Sequence, residues 1–423
     1  MRRGGALARL FGSQRCAASR RLNSATVSAG TTSILDGVRE RFEASTDFTI
    51  GIEEEFQILD PSTLALANRF GDLIGSAQGP FAERLAGELI ASEIEFRTGK
   101  HETLTSAARE LAEGRLRTIA LAEDLGLCLA ISGVHPFSRW EEQRIIDTEH
   151  YRRVEGELGY VAWTNNTWSV HLHCGIRGAD RAISVCTALR SLLPELLALS
   201  SNSPIFMGRP TRLHSTRTQV FTKSFPRCGV PDAFADWDEY AEYVHFLERA
   251  NSIVESTQIW WSVRPHHTHG TIEVRICDGQ SEIGEALGLV ALMLAAIASF
   301  CDDFDAGRDL PRTEHRFIEE NLWRAERYGL TGALIDLTTG LERTAPEAIE
   351  ELLRWSGPAA TRLGVDRFLG PVRSMLENGN GAIRQLRRYD ELGGDLKALH
   401  AECAERTKRS AEELLAELEG SDG

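Results

Sequence analysis

The sequence lacks the glycine-rich loops with which two large groups of proteins bind nucleotides. Neither a GxxxxGK(S/T) loop nor a GxGxxG loop occurs in its 423 residues, which disfavours P-loop enzymes and Rossmann dehydrogenases. Basic residues are also in the minority, since 47 lysines and arginines stand against 62 aspartates and glutamates and leave a net charge of −15. A surface of that sign repels phosphate backbones, so we do not expect nucleic acid as a partner.

Long apolar runs and paired cysteines are missing as well. The longest apolar helix candidate, residues 286–300, is shorter than the ~20 residues that a bilayer requires. We therefore interpret it as a buried core helix and expect no membrane partner. The eight cysteines show no CxxC pair and no regular spacing. This usage is typical of reduced thiols in the cytoplasm and not of a disulfide framework.

Acidic residues are absent before Asp36, whereas six arginines and several serines occur there. This composition is typical of a mitochondrial transit peptide, a targeting extension. Scattered glycines would make a poor amphipathic helix, which favours a disordered basic extension or a start codon assigned too far upstream. In each case we exclude residues 1–35 from the fold and predict one continuous domain over residues 36–420, with a helical C-terminal part.

Periodicity of the apolar residues predicts the secondary structure. Strands are predicted over residues 49–59, 89–98, 128–133, 169–176 and 259–278, the last one broken as a hairpin near residues 266–270. Helices are predicted over residues 105–125, 179–200, 237–250, 282–300, 314–328, 346–355, 371–377, 382–389 and 396–418. Because strands and helices do not alternate regularly, the pattern favours an α+β fold over a doubly wound sheet.

Four of the predicted strand segments share one design, an apolar face and an ionisable face, because successive side chains on a strand point to opposite sides. The ionisable faces hold Glu53 and Glu55, then Glu93, Glu95 and Arg97, then His171 and His173, and finally Glu273 and Arg275. If the strands belong to one sheet, these side chains gather on one surface. Two carboxylates ~4 Å apart repel by about 4 kcal/mol at an effective dielectric of 20, so such a cluster requires cations.

Oxygen-rich ligands favour Mg²⁺ or Mn²⁺, and Mg²⁺ commonly completes its shell with nucleotide phosphates. The competing interpretation is a solvated sheet face, on which alternating polar residues are ordinary. Lysine would then be common, yet these faces contain none. The pair His171 and His173 alone is a weak zinc signal, and no third and fourth ligand follows at zinc spacing.

The chain resembles the glutamate–cysteine ligase type 2 family of carboxylate–amine ligases over about residues 48–330, and more weakly over the helical part that follows. The resemblance rests on segments that occur in the family's order: TIGIEEEF at 49–56, SVHLHCGI at 169–176, LSSNSP at 199–204, WWSVRP at 260–265, GTIEVR at 270–275 and NLWRA at 321–325.

The resemblance implies an antiparallel sheet that lines a funnel-like active site with flanking helices, of the glutamine synthetase and guanidino-kinase type. There Mg²⁺ would hold ATP against an acid substrate. Residues matched to metal ligands of the family are Glu53, Glu55, Glu95, His173 and Glu273, the set that the ionisable faces also contain. The domain over 36–420 would then be a carboxylate–amine ligase domain.

Further roles follow from the same resemblance. Arg275 would face the transferred γ-phosphoryl group of ATP and act in catalysis together with Glu53 and Glu273. Arg264 and Arg217 are candidates for binding a substrate carboxylate, because a guanidinium matches a carboxylate with two hydrogen bonds. For Arg217 a surface salt bridge is the alternative.

Three other residues have alternatives that stay open. Asn202 is expected either to contact substrate or to hold its loop. Asn321 and Arg324 are expected either to bind nucleotide or to pack the helix that carries them.

The implied reaction forms an amide, of the γ-glutamylcysteine kind, through an acyl phosphate that an amine attacks. Three departures from the family pattern are Ser201, Cys174 and a basic loop over residues 207–218. That loop is expected to shape the substrate pocket, so glutamate and cysteine are not assured as substrates.

Alternatives to this reaction are a kinase, an amide synthetase of a specialised biosynthetic pathway with non-glutamate substrates, and an inactive nucleotide-binding pseudoenzyme. A homodimer stays open.

Overall fold

A seven-stranded antiparallel sheet organises the protein, whose computed structural model describes residues 33–421. The strands of this sheet and of three small two-stranded sheets are, in chain order, β1 (Ile50–Leu59), β2 (Leu85–Ala86), β3 (Glu93–Arg97), β4 (Cys128–Ala130), β5 (Val170–Gly175), β6 (Ile205–Phe206), β7 (Arg209–Pro210), β8 (Cys228–Gly229), β9 (Trp260–Trp261), β10 (Val263–His266), β11 (Thr271–Val274), β12 (Ala333–Ile335) and β13 (Glu342–Thr344). The order in the main sheet is β10-β11-β5-β1-β3-β2, and β4 also pairs with β1.

Helices surround this sheet and make up most of the C-terminal third. They are α1 (Val38–Glu43), α2 (Phe70–Ser76), α3 (Gly79–Ala82), α4 (Leu104–Asp124), α5 (Glu149–Leu158), α6 (Tyr160–Trp163), α7 (Ala179–Leu189), α8 (Leu193–Ser200), α9 (Trp237–Arg249), α10 (Ile283–Asp305), α11 (His315–Tyr328), α12 (Ala345–Arg362), α13 (Gly370–Asn378), α14 (Gly381–Glu391) and α15 (Leu396–Ser421). The predicted α+β class is confirmed.

One face of the sheet packs on helices and forms the core. The apolar column of β1, with Ile50, Ile52 and Phe56, is at most 1% exposed. Helices α4, α7 and α10 pack against the sheet strands, and α10 also contacts α12, α13 and α15. Alternation of side chains along β1 therefore fixes which face is left for the ionisable groups.

The apolar core helix is longer than its sequence pattern predicts. It runs over Ile283–Asp305, 23 residues, and so is long enough to cross a membrane, as is the stretch Ala179–Ser200. Both are buried within the protein, over 94% and 83% of their most apolar windows. The prediction that this helix is too short to cross a membrane was wrong, but its burial supports the interpretation of α10 as a core helix.

Two predicted elements are shorter or divided for local reasons. The strand predicted over 89–98 begins at Glu93, because Ala91 instead donates its N–H to the carbonyl of Arg144. The helix predicted over 179–200 divides into α7 and α8 around a 3₁₀ turn, where Pro194 has no N–H to continue the ladder. Of the extension predicted over 1–35, residues 33–35 are described, and Leu35 packs in the core.

A buried ion pair ties the apolar face of β1 to the C-terminal helix. Glu54 and Arg115 are 1% and 0% exposed. Arg115 donates from Nε to Glu54 Oε2 at 3.0 Å and from Nη1 to the carbonyls of Ser281 and Thr407. Because successive side chains on a strand point to opposite sides, Glu54 lies in the core, whereas Glu53 and Glu55 lie on the opposite face of the sheet.

The variant Glu54→Gln is expected to lower the free energy of unfolding by about 3 kcal/mol or more. Breaking a buried pair leaves the charge of Arg115 uncompensated, and such losses are of this size. Urea unfolding at constant pH measures the change. Unfolding equal to the wild type would show that Arg115 is balanced by its carbonyl partners alone.

Candidate active site

Cross-strand pairing brings the ionisable side chains to the face of the sheet opposite the core. In the register, Glu53 lies opposite both Arg97 and His171, and Glu55 lies opposite Glu95. Further along, Gly51 and Glu273 both lie opposite His173, and Glu273 also lies opposite Arg264. Directly paired residues share a face, so these groups form one cluster, which we call the carboxylate face.

Glu53 contacts both histidines of β5. Its Oε2 lies 2.9 Å from Nδ1 of His171, and its Oε1 lies 3.2 Å from Nε2 of His173. Burial raises the pKa of Glu53, but the charge of His173 and hydrogen bonds from both histidines outweigh it and hold the pKa well below its usual range. These contacts favour the ionised form of Glu53.

Glu273 accepts hydrogen bonds from two arginines. Its Oε2 accepts from Nε of Arg264 at 2.7 Å, and its Oε1 accepts from Nη1 of Arg275 and lies 4.0 Å from Nε2 of His173. Burial raises the pKa of Glu273, but the charges of Arg264, Arg275 and His173 overcome burial and hold it well below the usual range. The same contacts raise the pKa of Arg275 against the effect of its burial. Both groups are charged.

A second part of the carboxylate face crowds buried carboxyl groups together. Burial and the charge of Glu55 raise the pKa of Glu88 to about 7. Burial and neighbouring carboxylates also raise the pKa of Glu93 and Glu95 well above the usual value. One oxygen of Glu93 is buried with no hydrogen-bond partner among the described residues. A bound cation would lower these pKa values, because an opposite charge nearby favours the ionised carboxylate.

Three groups of side chains on this face are close enough to hold a cation, with ligand atoms all within 4.8 Å of one another. They are Glu53 with His173 and Glu273, Glu53 with Glu95 and His171, and Glu55 with Glu88 and Glu95. The oxygen-rich sets fit Mg²⁺ or Mn²⁺. The five residues predicted as metal ligands all occur in these groups.

Sequence reasoning missed Glu88 and did not assign His171 or Glu93 as ligands. Alternation had already placed Glu93 and His171 on the ionisable faces, so the signal for those two was present. Glu88 follows β2, which has two residues and is too short to show any alternation. Its position next to Glu55 depends on the pairing of β2 with β3.

A cavity of about 610 Å³ opens beside Glu53 and His173. Basic side chains from three separate segments line it, Arg41, Arg84 and the pair Arg97 and Lys100. A cavity of that size accommodates a drug-sized ligand, and its charge favours an anionic one.

Arg217 lies next to the carboxylate face but is directed at backbone atoms. It is 2% exposed and donates to the carbonyls of Arg275 and Ile276 at 3.0 and 3.1 Å. Its Nη1 is 3.9 Å from Asp278. This arrangement holds the segment after β11 and does not point to a substrate carboxylate.

The structure does not bring Asn202, Asn321 or Arg324 into contact with the carboxylate face. The amide of Asn202 bonds to Gly279 and Gln385, at 2.7 Å each, so it holds its loop. Asn321 exchanges two hydrogen bonds with the backbone of Ile335, and Arg324 pairs with glutamates on the helix surface and in β13. For this pair, the helix-packing alternative is the one that their contacts favour.

Solved structures show the same fold. The glutamate–cysteine ligase of Francisella tularensis, determined in complex with AMP, aligns with a TM-score of 0.62 over 89% of this chain and 95% of that one. The bifunctional glutathione synthetase of Pasteurella multocida aligns with a TM-score of 0.63 over 89% of this chain and 54% of that one. Both are 14% identical in sequence, so the likeness is one of fold.

The family match and the relatives in sequence show an enzyme of the class of ligases that form carbon–nitrogen bonds. The chain belongs to glutamate–cysteine ligase family 2, whose family model matches residues 49–405. A relative from Solibacter usitatus, whose name assigns it to glutamate–cysteine ligase 2, is 37% identical over 85% of this chain and 93% of its own length. One from Rubrobacter xylanophilus, named in the same way, is 38% identical over 87% and 99%. The resemblance in sequence is thereby confirmed.

Proposed function

We propose that the chain is an ATP-dependent carboxylate–amine ligase that uses Mg²⁺, or alternatively Mn²⁺, and forms an amide through an acyl phosphate. The observation that carries this proposal is the crowding of six carboxyl groups on one face of the sheet, which we propose lines a funnel-like site. Its glutamates are Glu53, Glu55, Glu88, Glu93, Glu95 and Glu273. Arg97, Arg264 and Arg275 offset at most half of this charge. Divalent cations are the groups that such carboxylates bind.

The cavity beside Glu53 supports ATP as the co-substrate. Its basic residues Arg41, Arg84, Arg97 and Lys100 suit a polyphosphate, and Glu53 at its border suits the metal that accompanies one. The AMP bound by the Francisella tularensis ligase of the same fold agrees with a nucleotide substrate.

The three groups of side chains that are close enough to hold a cation are assigned to different ions in this proposal. Glu53, His173 and Glu273 would hold one ion, and the groups around Glu95 would hold the others. Bound ions would neutralise charge on the transferred phosphoryl group and polarise the oxygens bound to them. Since no residue needs to act as a nucleophile, the chain's own work is to position the reactants.

The arginines beside Glu273 have donors left for substrates. Arg275 uses Nη1 for Glu273, and its Nε is buried with no hydrogen-bond partner among the described residues. We assign it to oxygens of the transferred phosphoryl group, whose charge it stabilises. Arg264 bonds to Glu273 and to the carbonyl of Ile259, which leaves N–H groups on both Nη atoms for a substrate carboxylate. Arg217 then positions Arg275 through its backbone.

The identities of the acid and the amine are proposed separately from the type of reaction. Glutamate and cysteine are the substrates that the family name suggests. The loop over residues 207–218 exposes Arg209 and Arg212, and this basic surface favours the second candidate, an amide synthetase that acts on other small acids and amines.

An ADP-release screen of the purified protein with pairs of amino acids and amines tests the proposal. We expect release that requires the acid, the amine and Mg²⁺ together, and a product whose mass equals acid plus amine minus water. Phosphorylation of the acid that ignores the amine would identify a kinase. Nucleotide binding without release for any pair would identify a pseudoenzyme. Either result contradicts the ligase proposal.

We also propose a cytoplasmic location. The cysteines within the described residues are all free thiols, as is usual in a reducing compartment.

A further inference from the structure

A second cavity, of about 450 Å³, lies where helices α5 and α6 meet the segment over residues 140–145. It shares no lining residue with the cavity beside Glu53, and the proposed reaction makes no use of it. Two indoles, two carboxylates, one guanidinium and one amide line it, together with the side chains of Ile90 and Ile145. A cavity of this volume accommodates a small-molecule ligand.

The turn between α5 and α6 places one of the indoles. Gly159 ends α5 with a φ of +52°, a conformation that favours glycine. The chain turns there, and Nε1 of Trp163 donates a hydrogen bond to Oε1 of Glu155 at 2.8 Å. This bond holds the indole at the cavity, although Trp163 is 47% exposed.

Trp140 supplies the second indole. It begins a short 3₁₀ turn over Trp140–Glu142, and the ring of Tyr160 meets its ring edge-on, with centroids 5.6 Å apart. Tyr160 is itself 63% exposed. Contact between aromatic rings and water is unfavourable, so aromatic surface of this extent at a cavity suits an apolar group of a ligand.

Two charged groups of opposite sign are free in this cavity. Glu155 has the indole N–H of Trp163 as its partner and forms no ion pair within residues 33–421. The guanidinium of Arg144 forms neither a hydrogen bond nor an ion pair within the same residues. Glu141, by contrast, is paired with Arg139 at 2.7 Å. One carboxylate and one guanidinium therefore remain for a ligand.

An unpartnered amide oxygen adds a further acceptor. Nε2 of Gln143 donates to the carbonyl of Arg139 at 3.0 Å, which fixes the amide. Oε1 of Gln143 is buried and has no hydrogen-bond partner among the described residues. A buried acceptor without a donor costs stability, and the ammonium group of a ligand can supply that donor.

Backbone pairing holds the floor of the cavity. Ile90 and Ile145 form an antiparallel bridge, and Ala91 donates its N–H to the carbonyl of Arg144 at 2.7 Å. Arg144 and Ile145 are thus carried by a paired segment, so the cavity is formed before a ligand binds.

We propose that this cavity binds a zwitterionic amino acid with an apolar side chain. The carboxylate of the ligand pairs with Arg144, because a guanidinium matches a carboxylate with two hydrogen bonds. The ammonium group of the ligand pairs with Glu155 and with Oε1 of Gln143. The side chain of the ligand lies against the indoles of Trp140 and Trp163. An acid without an amino group, or an amine without a carboxylate, leaves one of the two free charges unpaired.

L-Phenylalanine is the probe, together with two analogues that each lack one charge. Phenylalaninol lacks the carboxylate, and 3-phenylpropionate lacks the amino group. Each compound is titrated into the full-length protein by calorimetry, without nucleotide or metal. We expect one equivalent of L-phenylalanine to bind with a Kd of about 1 mM or lower. Each analogue should bind about 10-fold more weakly, because it leaves one charged group of the cavity unpaired.

Two variants assign the charges to their residues. Arg144→Gln should weaken the binding of L-phenylalanine about 10-fold and leave that of phenylalaninol unchanged. Glu155→Gln should weaken L-phenylalanine by a similar factor and leave 3-phenylpropionate unchanged, and glutamine keeps an acceptor for Trp163. Neither side chain is buried, so both variants should fold normally, which a thermal melt verifies.

Glu149→Gln is the matched control, because Glu149 lies on the same helix as Glu155, has a side chain that is 89% exposed and does not line the cavity. It should bind all three compounds as the wild type does. Absence of L-phenylalanine binding, or wild-type affinity for it in Arg144→Gln or in Glu155→Gln, would overturn the inference. No titration contains nucleotide, so failure of the ligase proposal would be seen separately, in the ADP-release screen.

Discussion

The variant Glu53→Gln is expected to lose ligase activity by at least about 10³-fold while the free energy of unfolding changes little. Its carboxylate lies within 3.2 Å of both histidines of β5 and borders the cavity. Glutamine keeps the shape but removes the charge that a cation and the phosphoryl transfer require, and single electrostatic groups at such positions contribute 10²–10³ or more. ADP release under saturating acid and amine measures the loss.

The neighbouring residue supplies a matched control for this experiment. Glu54→Gln makes the same chemical change one position along β1, but on the face that packs against Arg115. The first variant should lose activity and keep its stability, and the second should lose stability and, where folded, keep its activity. If Glu53→Gln retained near-normal turnover, Glu53 would not be a ligand of the reaction's cation.

Alternation along strands is a local property, and it was enough to predict most of the carboxylate face, although not Glu88. Glu53 and Glu55 share a face because they are two residues apart, and the same holds for His171 and His173. That the faces meet follows from strand pairing, which spacing alone does not determine. The family resemblance supplied that step, and the register bears it out.

Contacts between segments that are distant along the chain could not be predicted from the sequence. The placement of Glu54 in an apolar column hid an ion pair with Arg115, a residue 61 positions away. His266 and His269 approach His173 only through the turn at Gly270, which spacing along the chain does not reveal. Residue type also did not reveal that the guanidinium of Arg217 binds backbone carbonyls.

The funnel shape, the metal ions and the nucleotide remain proposals, and they depend on different residues. The crowding of carboxyl groups near Glu88 and Glu95, which raises their pKa values together with burial, supports cations irrespective of the substrate. The basic cavity near Arg97 supports an anionic ligand irrespective of the acid that is activated. Neither identifies the amine, so substrate identity has to come from the screen.

Arg275→Lys is expected to lower kcat by about 10³-fold although the positive charge is retained. The guanidinium of Arg275 reaches Glu273 through Nη1, and its buried Nε has no hydrogen-bond partner among the described residues. A planar fork can serve both the carboxylate and a phosphoryl oxygen. An ammonium group is a single point charge, so it would satisfy Glu273 and no longer reach the substrate. Arginines that stabilise phosphoryl transfer are worth 10³–10⁵ in kcat.

The control is Arg264→Lys, since Arg264 contacts the same carboxylate from the neighbouring strand. It should raise the KM of the acid substrate more than it lowers kcat, because we assign it to binding and not to the transfer. Steady-state kinetics with ATP and acid varied in turn separate the two effects. Equal kcat losses in both variants would mean that each arginine acts by holding Glu273, and the division of roles between them would have to be abandoned.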